Sequence, residues 1–193
     1  RLGGNSLSDL LVFGKRAGDA AARFAREQGR VRTVVPAQIE AASRAALAPF
    51  DRTASDDGNN PYQVQHTLQE MMQDLVGIVR TQQEMERALE GLAALRAREA
   101  RVAVTGNREY NPGWHTALDL ASLLVVSEAV TRSALARTES RGAHFRDDHP
   151  QKDEALGKVR HVVKRGADGA MQLERIAVTP PAPELQRIIE EQR

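Results

Sequence analysis

The sequence contains no cysteine. Thiol nucleophiles, cysteine zinc sites, iron–sulfur ligation by this chain and a disulfide framework are thereby excluded, and thiol usage says nothing about redox compartment. Aromatic residues are scarce: four Phe, two Tyr and one Trp among 193 residues. Apolar runs are short, as at Leu123-Leu124-Val125-Val126, whereas a membrane span needs roughly 20 mostly apolar residues. An excess of one charge is missing too. Lys and Arg total 27 against 26 Asp and Glu, a net charge of +1. Bulk charge gives no footing for nucleic acid, although a local basic patch is compatible with it. The start, Arg1-Leu2-Gly3-Gly4, is neither a signal peptide nor an initiation site, so the chain is expected to be part of something longer.

What is present is alanine. Hydrophobic residues make up 41%, and 29 of them are Ala. That composition suits thin, closely packed helices rather than a β-sandwich. The length allows one domain, or one domain plus an appendage.

The apolar spacing predicts helices along most of the chain. In the first, Ser6 is a plausible N-cap, Leu7, Leu10, Leu11, Phe13, Ala17, Ala20, Ala21 and Phe24 follow helical spacing, and Gly29 stops it. Gly14 and Gly18 inside it read as close packing against a neighbour. Residues 30–35 form a connector, either a linker or a short strand. Pro36 opens a second helix with a weak stripe at Ile39, Ala42, Ala46 and Leu47. The polar stretch from Phe50 to Asn60 reads as an exposed loop.

Three helices follow. One runs from Pro61 to about Val79, with Val64, Leu68, Met71, Met72, Leu75 and Val79 facing inward. The next runs from Thr81 to Val102, with Met85, Leu89, Leu92, Leu95 and Ala100 or Val102 inward. The longest runs from Gly113 to Ala143 on Leu118, Ala121, Leu124, Val125, Ala129, Val130, Ala134 and Leu135. Short connections favour an antiparallel bundle. The tail then alternates at Val159-Arg160-His161-Val162-Val163, turns at Gly166–Gly169 and resumes at Met171–Val178, which predicts a β-hairpin. Pro180, Pro181 and Pro183 end it, before a short helix over 184–192.

No complete catalytic constellation is visible. The five histidines lack the His-x-x-x-His spacing that places two metal ligands on one helix face. His144 and His149 lie among Asp147 and Asp148, but charged turns are usually just solvated. There is no nucleophile elbow, no phosphate loop and no dinucleotide-binding glycine fingerprint. Two places stand out. At Arg1-Leu2-Gly3-Gly4-Asn5-Ser6-Leu7 a glycine turn feeds a helix, whose unpaired N–H groups suit an anion. Arg1 adds a bidentate donor for a carboxylate or phosphate. At the end of the longest helix stand Arg137, Arg141 and Arg146. Structural salt bridges closing that helix end are the favoured reading over direct ligand contact.

At these two places the sequence resembles one family. The run from Arg1 to Gly14, with Ala17-Gly18 beyond, is similar to the entry into the last helix of the flavin domain in succinate dehydrogenase and fumarate reductase flavoprotein subunits. Ser133-Ala134-Leu135-Ala136-Arg137-Thr138-Glu139-Ser140-Arg141-Gly142-Ala143-His144-Phe145-Arg146 resembles the signature of their C-terminal helical domain, and Arg108–His115 and Ser127–Val130 fit it too. Lys15, where Arg is more usual, is a mild departure.

The resemblance implies a mainly α chain: an antiparallel three-helix bundle, preceded by the last helix of the FAD domain and followed by a small β-hairpin tail. It implies the end of the FAD domain at 1–35, the helical bundle at 36–155 and the tail at 156–193. It implies an oxidoreductase exchanging hydride between FAD and succinate or fumarate, with Arg1 over a substrate carboxylate and Ser6 and Leu7 against the flavin. No catalytic residue is implied in this chain, and most of the FAD site is expected upstream. An iron–sulfur subunit and a membrane anchor are the implied partners, giving peripheral attachment at the cytoplasmic face of a bacterial inner membrane without direct insertion. The chain by itself is expected to be inactive. The nearest alternatives are an L-aspartate oxidase-type flavoenzyme, whose matching segment usually reads Ala-Ser at Gly3-Gly4, and a non-catalytic helical interaction domain.

Overall fold

A computed structural model describes residues 4, 6–29, 33–53 and 59–191. The chain divides into two compact units, Arg1–Ser43 and Arg44–Arg193. In the first unit, α1 spans Ser6–Gln28 and Gly29 ends it at φ +58°, in the left-handed region where glycine carries no Cβ penalty. Leu7, Leu10, Leu11, Phe13 and Phe24 are all exposed, and α1 buries no residue. Gly14 and Gly18 meet nothing within the described residues. Among the described residues 33–35 there is no strand. Helix α2 spans Pro36–Asp51, and the chain division falls within it.

The second unit is built on α3 (Pro61–Val76), α4 (Gln82–Glu99) and α5 (Pro112–Ala136), which pack on one another as an antiparallel three-helix bundle. Each begins on a side-chain cap that accepts from a backbone N–H of its first turn: Asn60 from Tyr62, Thr81 from Glu84 and Asn111 from Trp114. Thr81 and Glu84 complete a capping box. The core is Val64 and Leu68 of α3, Leu92 and Leu95 of α4, Val102 and Val104 after it, and Ala117, Leu120 and Leu124 of α5. Trp114 donates from Nε1 to the Ala46 carbonyl at 2.7 Å and meets Phe50 edge-on at 5.3 Å, so the end of α2 is tied to the bundle.

Three of the expected details are corrected. Helix α3 stops at Val76, and Val79 is exposed rather than inward. The cause is Gly77, where a Cβ would lie 2.4 Å from the Gln73 carbonyl oxygen. Only glycine makes that turn, and Val79–Arg80 leaves it as a short strand, β1, which periodicity does not reveal. Helix α5 ends at Ala136, not Ala143: Arg137 has φ −96°, ψ 93°, and Arg141 and His144 exchange backbone hydrogen bonds around Gly142 at φ +60°. The buried face of α5 also differs. Ala117, Leu120, Leu124, Thr131 and Ala134 are inside, while Leu118, Ala121, Val125 and Val130 are outside. This helix is apolar on both sides, so its spacing fits two faces equally well.

Strand β1 pairs in parallel with β2 (Phe145–Arg146), matching Val79 with Phe145 and Arg80 with Arg146. A 3-10 turn at Leu156–Lys158 leads into β3 (Val159–Arg165), which pairs antiparallel with β4 (Met171–Ala177). Gly169 holds the hairpin turn at φ +81°. Helix α6 spans Pro183–Glu191. The hairpin and the final helix agree with the sequence expectation.

The α5 register gives a direct expectation. Leu120→Ala lowers unfolding free energy by about 3 kcal/mol, whereas Val125→Ala stays within about 0.5 kcal/mol, as surface substitutions do. Urea denaturation of the two variants measures this, and equal losses would contradict the assigned face.

Candidate functional site

Two regions carry the functional candidates. The first is the start of α1. Gly4 has φ +85°, with nothing within 4 Å of where a Cβ would stand, and Ser6 is the first helical residue. A helix start presents N–H groups that have no intrahelical acceptor and the positive end of the dipole. Leu7 is 74% exposed beside it. Arg1 lies outside the described residues.

The second region is the segment after α5, where charged side chains gather in a knot around the buried Glu139 and Arg146. Arg146 is fully buried, and its guanidinium is divided between two tasks. Nε and Nη2 donate to the two oxygens of Asp148, each at 2.7 Å. Nη1 donates to the carbonyls of Ala134 and Leu135 at 3.3 and 3.2 Å, satisfying acceptors that the end of α5 leaves open. Asp148 in turn accepts from the Gln82 N–H at 2.7 Å, at the start of α4. One ion pair therefore places a cation on a helix C-terminus and an anion on a helix N-terminus, each complementing a dipole. The bonds to Arg146 hold the Asp148 carboxyl well below its ordinary range, and the Gln82 N–H adds to them.

Whereas Asp148 is partly exposed, Glu139 is fully buried. Its Oε1 and Oε2 each accept from Arg141 Nε at 3.1 Å, Arg137 donates to Oε1, and the Asp153 N–H reaches Oε2 at 2.8 Å. The Arg141 bond is the main cause that lowers its pKa from 4.5 to about 2, against the opposing effect of burial. Arg137 also donates to the Leu156 and Val159 carbonyls at 3.1 and 2.8 Å, fastening the first residues of the hairpin. Ser140 accepts from the Arg146 N–H at 2.8 Å and donates to the His149 carbonyl at 2.9 Å.

His144 completes the knot. Arg80 Nη1 donates to its Nδ1 at 3.0 Å, so the ring proton sits on Nε2 and is donated to the Arg137 carbonyl at 3.1 Å. Burial, then the charges of Arg80, Arg146 and Arg137, hold its pKa below the usual histidine value. His144 and Asp148 are thus committed to arginines. Among the described residues no three His, Asp or Glu gather as metal ligands. The arginine cluster forms structural salt bridges at the end of α5, the reading the sequence favoured, although Arg137 and Arg141 lie beyond the helix. Sequence reasoning missed that Glu139 and Asp148 are its anionic centres; the signal was their placement two residues from Arg137 or Arg141 and from Arg146.

Residues 65–187, more than half of the chain, match the family described as fumarate reductase flavoprotein C-term. The chain belongs to that family. It is 32% identical over 183 residues to the fumarate reductase flavoprotein subunit of Mycobacterium tuberculosis, a match that takes in 93% of this chain and 31% of the relative. The corresponding Escherichia coli subunit is 34% identical over 190 residues, covering 94% of this chain and 31% of its own. The fold matches Mycobacterium smegmatis Sdh1 in complex with UQ1 with a TM-score of 0.88 and 43% identity, over 100% of this chain and 32% of that one. A quinol–fumarate reductase with menaquinol molecules gives a TM-score of 0.80 at 30% identity, over 94% of this chain and 32% of that one. The chain therefore spans about 31% of the length of these curated relatives and corresponds to their C-terminal part. No helix among the described residues is long and apolar enough to cross a membrane.

The knot predicts both stability and its pH dependence. Arg146→Met leaves the Ala134 and Leu135 carbonyls and the partly exposed Asp148 carboxylate without their partner and costs about 1–3 kcal/mol, the range for buried polar groups left unpaired. Thermal unfolding reads it. Glu139, with its pKa lowered from 4.5 to about 2, contributes stability that is complete above pH 4.5 and disappears as pH falls toward 2. His144, held neutral, adds stability above its ordinary value of 6.5 that is lost on acidification below it. Melting profiles of Glu139→Gln and His144→Asn across pH 2–7 should each lack their own step; a wild-type profile in either variant would contradict the assignment.

Proposed function

We propose that this chain serves as the C-terminal part of an FAD-dependent flavoprotein subunit that interconverts succinate and fumarate. The observation that carries the reading is likeness across almost the whole chain to fumarate reductase and succinate dehydrogenase flavoprotein subunits, in sequence and in fold. The start of α1 fits a flavin: an open glycine turn, a helix N-terminus and an exposed Leu7 leave room for a planar, electron-rich ring edge. FAD would supply the hydride chemistry when bound. Ser6 and Leu7 would hold and orient it, with the helix dipole favouring negative charge at the ring edge. Arg1 would pair with a carboxylate of the dicarboxylate and fix its orientation by bidentate donation. No residue of this chain is assigned a catalytic proton transfer.

The end of the FAD domain at 1–35, the helical domain at 36–155 and the tail at 156–193 belong to the same proposal. So do an iron–sulfur subunit and a membrane anchor as partners, and peripheral attachment at the cytoplasmic face of a bacterial inner membrane. The relatives named for complexes with quinones support the assembly. Gly3-Gly4 favours this branch over an L-aspartate oxidase.

In the full-length subunit, Arg1→Ala should weaken succinate binding and turnover together, since each charge-assisted bond lost costs about 1.5–3 kcal/mol. Steady-state kinetics with a redox dye measures this, and unchanged succinate kinetics would refute the clamp. The chain by itself should reduce no dye with succinate; turnover above a heat-killed control would overturn that expectation.

A further inference from the structure

His144 joins the ends of two helices. Arg80, on β1, donates from Nε to the Val76 carbonyl at the end of α3, at 3.1 Å, and from Nη1 to His144 Nδ1, at 3.0 Å. On the other side of the ring, His144 Nε2 donates to the carbonyl of Arg137, the residue that caps α5, at 3.1 Å. Backbone pairing runs alongside. The Asp147 N–H donates to the Arg80 carbonyl at 2.9 Å, and Val79 and Arg80 pair with Phe145 and Arg146. A ladder of two residues on each strand is weak by itself, so the imidazole is a fastening that β1 and β2 depend on.

This fastening fits one protonation state. A neutral ring accepts at Nδ1 and donates at Nε2, whereas a protonated ring donates at both. Its Nδ1–H would then face the Arg80 N–H, donor against donor and cation against cation. The surroundings offer no relief. Arg80 approaches from β1, Arg137 and Arg146 from the ring's own segment, and Arg160 and His161 from β3, with Arg175 of β4 acting on His161. The α5 residues that line the same groove carry no charge. Glu139 and Asp148, the acids of the segment, are already bonded to Arg137 and Arg141 and to Arg146. The ring is half-buried, so solvent protons reach it. We propose that protonation of His144 unlocks this joint: in mild acid Arg80 leaves the ring and β1 parts from β2, while the three-helix bundle stays folded. The device needs neither flavin nor substrate, so its failure would leave the functional reading untouched.

Hydrogen exchange of the full-length subunit, read by mass spectrometry and corrected for the intrinsic pH dependence of amide exchange, tests this. The reporter is the peptide that holds Asp147, whose N–H bonds to the Arg80 carbonyl. Its protection should be constant above the ordinary histidine value of 6.5 and fall by up to about tenfold per pH unit below it, because the released ring binds a proton more readily than the fastened one. Peptides of the core around Leu92 and Leu120 should keep their protection down to about pH 5. Glu139, with its pKa at about 2, and Asp148, held well below the usual carboxylate range, do not titrate in that window. His144→Gln should remove the step, whatever level of protection that variant keeps, and His161→Gln should retain it. A flat wild-type profile would overturn the proposal. So would a step that persists in His144→Gln, a step lost in His161→Gln, or core protection lost in parallel.

Discussion

The second unit depends on the bidentate pair between Arg146 and Asp148. Its geometry connects the open carbonyls at the end of α5 to the open N–H at the start of α4, two groups that helices cannot satisfy internally. A buried arginine is costly unless every donor is used and its charge is met. Here all three guanidinium nitrogens donate and Asp148 meets the charge, and this holds only when α4, α5 and the 137–149 segment are all in place. Such a pair is better understood as a specifier of arrangement than as a large net source of stability.

Around that pair the signature segment forms a chain of dependencies. Glu139 gathers Arg137 and Arg141, Arg137 fastens the 156–159 carbonyls, and the hairpin that follows is thereby held beside α5. Arg80, on the strand that follows α3, reaches back to His144. A recurrent motif rich in arginine, acid and histidine invites a catalytic reading. The hydrogen bonds assign these side chains to one another and to backbone carbonyls, and the candidate ligand contacts stand instead at the other end of the chain.

The division of labour fits what the family match covers. A hairpin and three helices are held together by an apolar core and by ion pairs centred on the buried Glu139 and Arg146. Helix α1 buries nothing, and α5 leaves a valine face uncovered.

Local chemistry was legible in the sequence. Pro36, Pro61 and Thr81 marked helix starts, Gly29 a stop, and Val159–Val178 a hairpin, because each acts through neighbours in the chain; the caps Asn60 and Asn111 were visible only in the structure. The resemblance at Arg1–Gly14 and at 133–146 was legible too, since motif identity needs no coordinates. What the tertiary structure decided is which way surfaces face and which charges meet. Periodicity could not choose between the two apolar sides of α5, because only the neighbours across the bundle distinguish them. Nor could it show that α5 ends at Ala136, since the Gly142 turn and the Arg146 cap that end it act through space. The arginines of Glu139 and Asp148 are two residues away in the chain, but their further partners, the Asp153 and Gln82 N–H groups, and the Arg80 that meets His144 come from separate segments, which only the fold brings together.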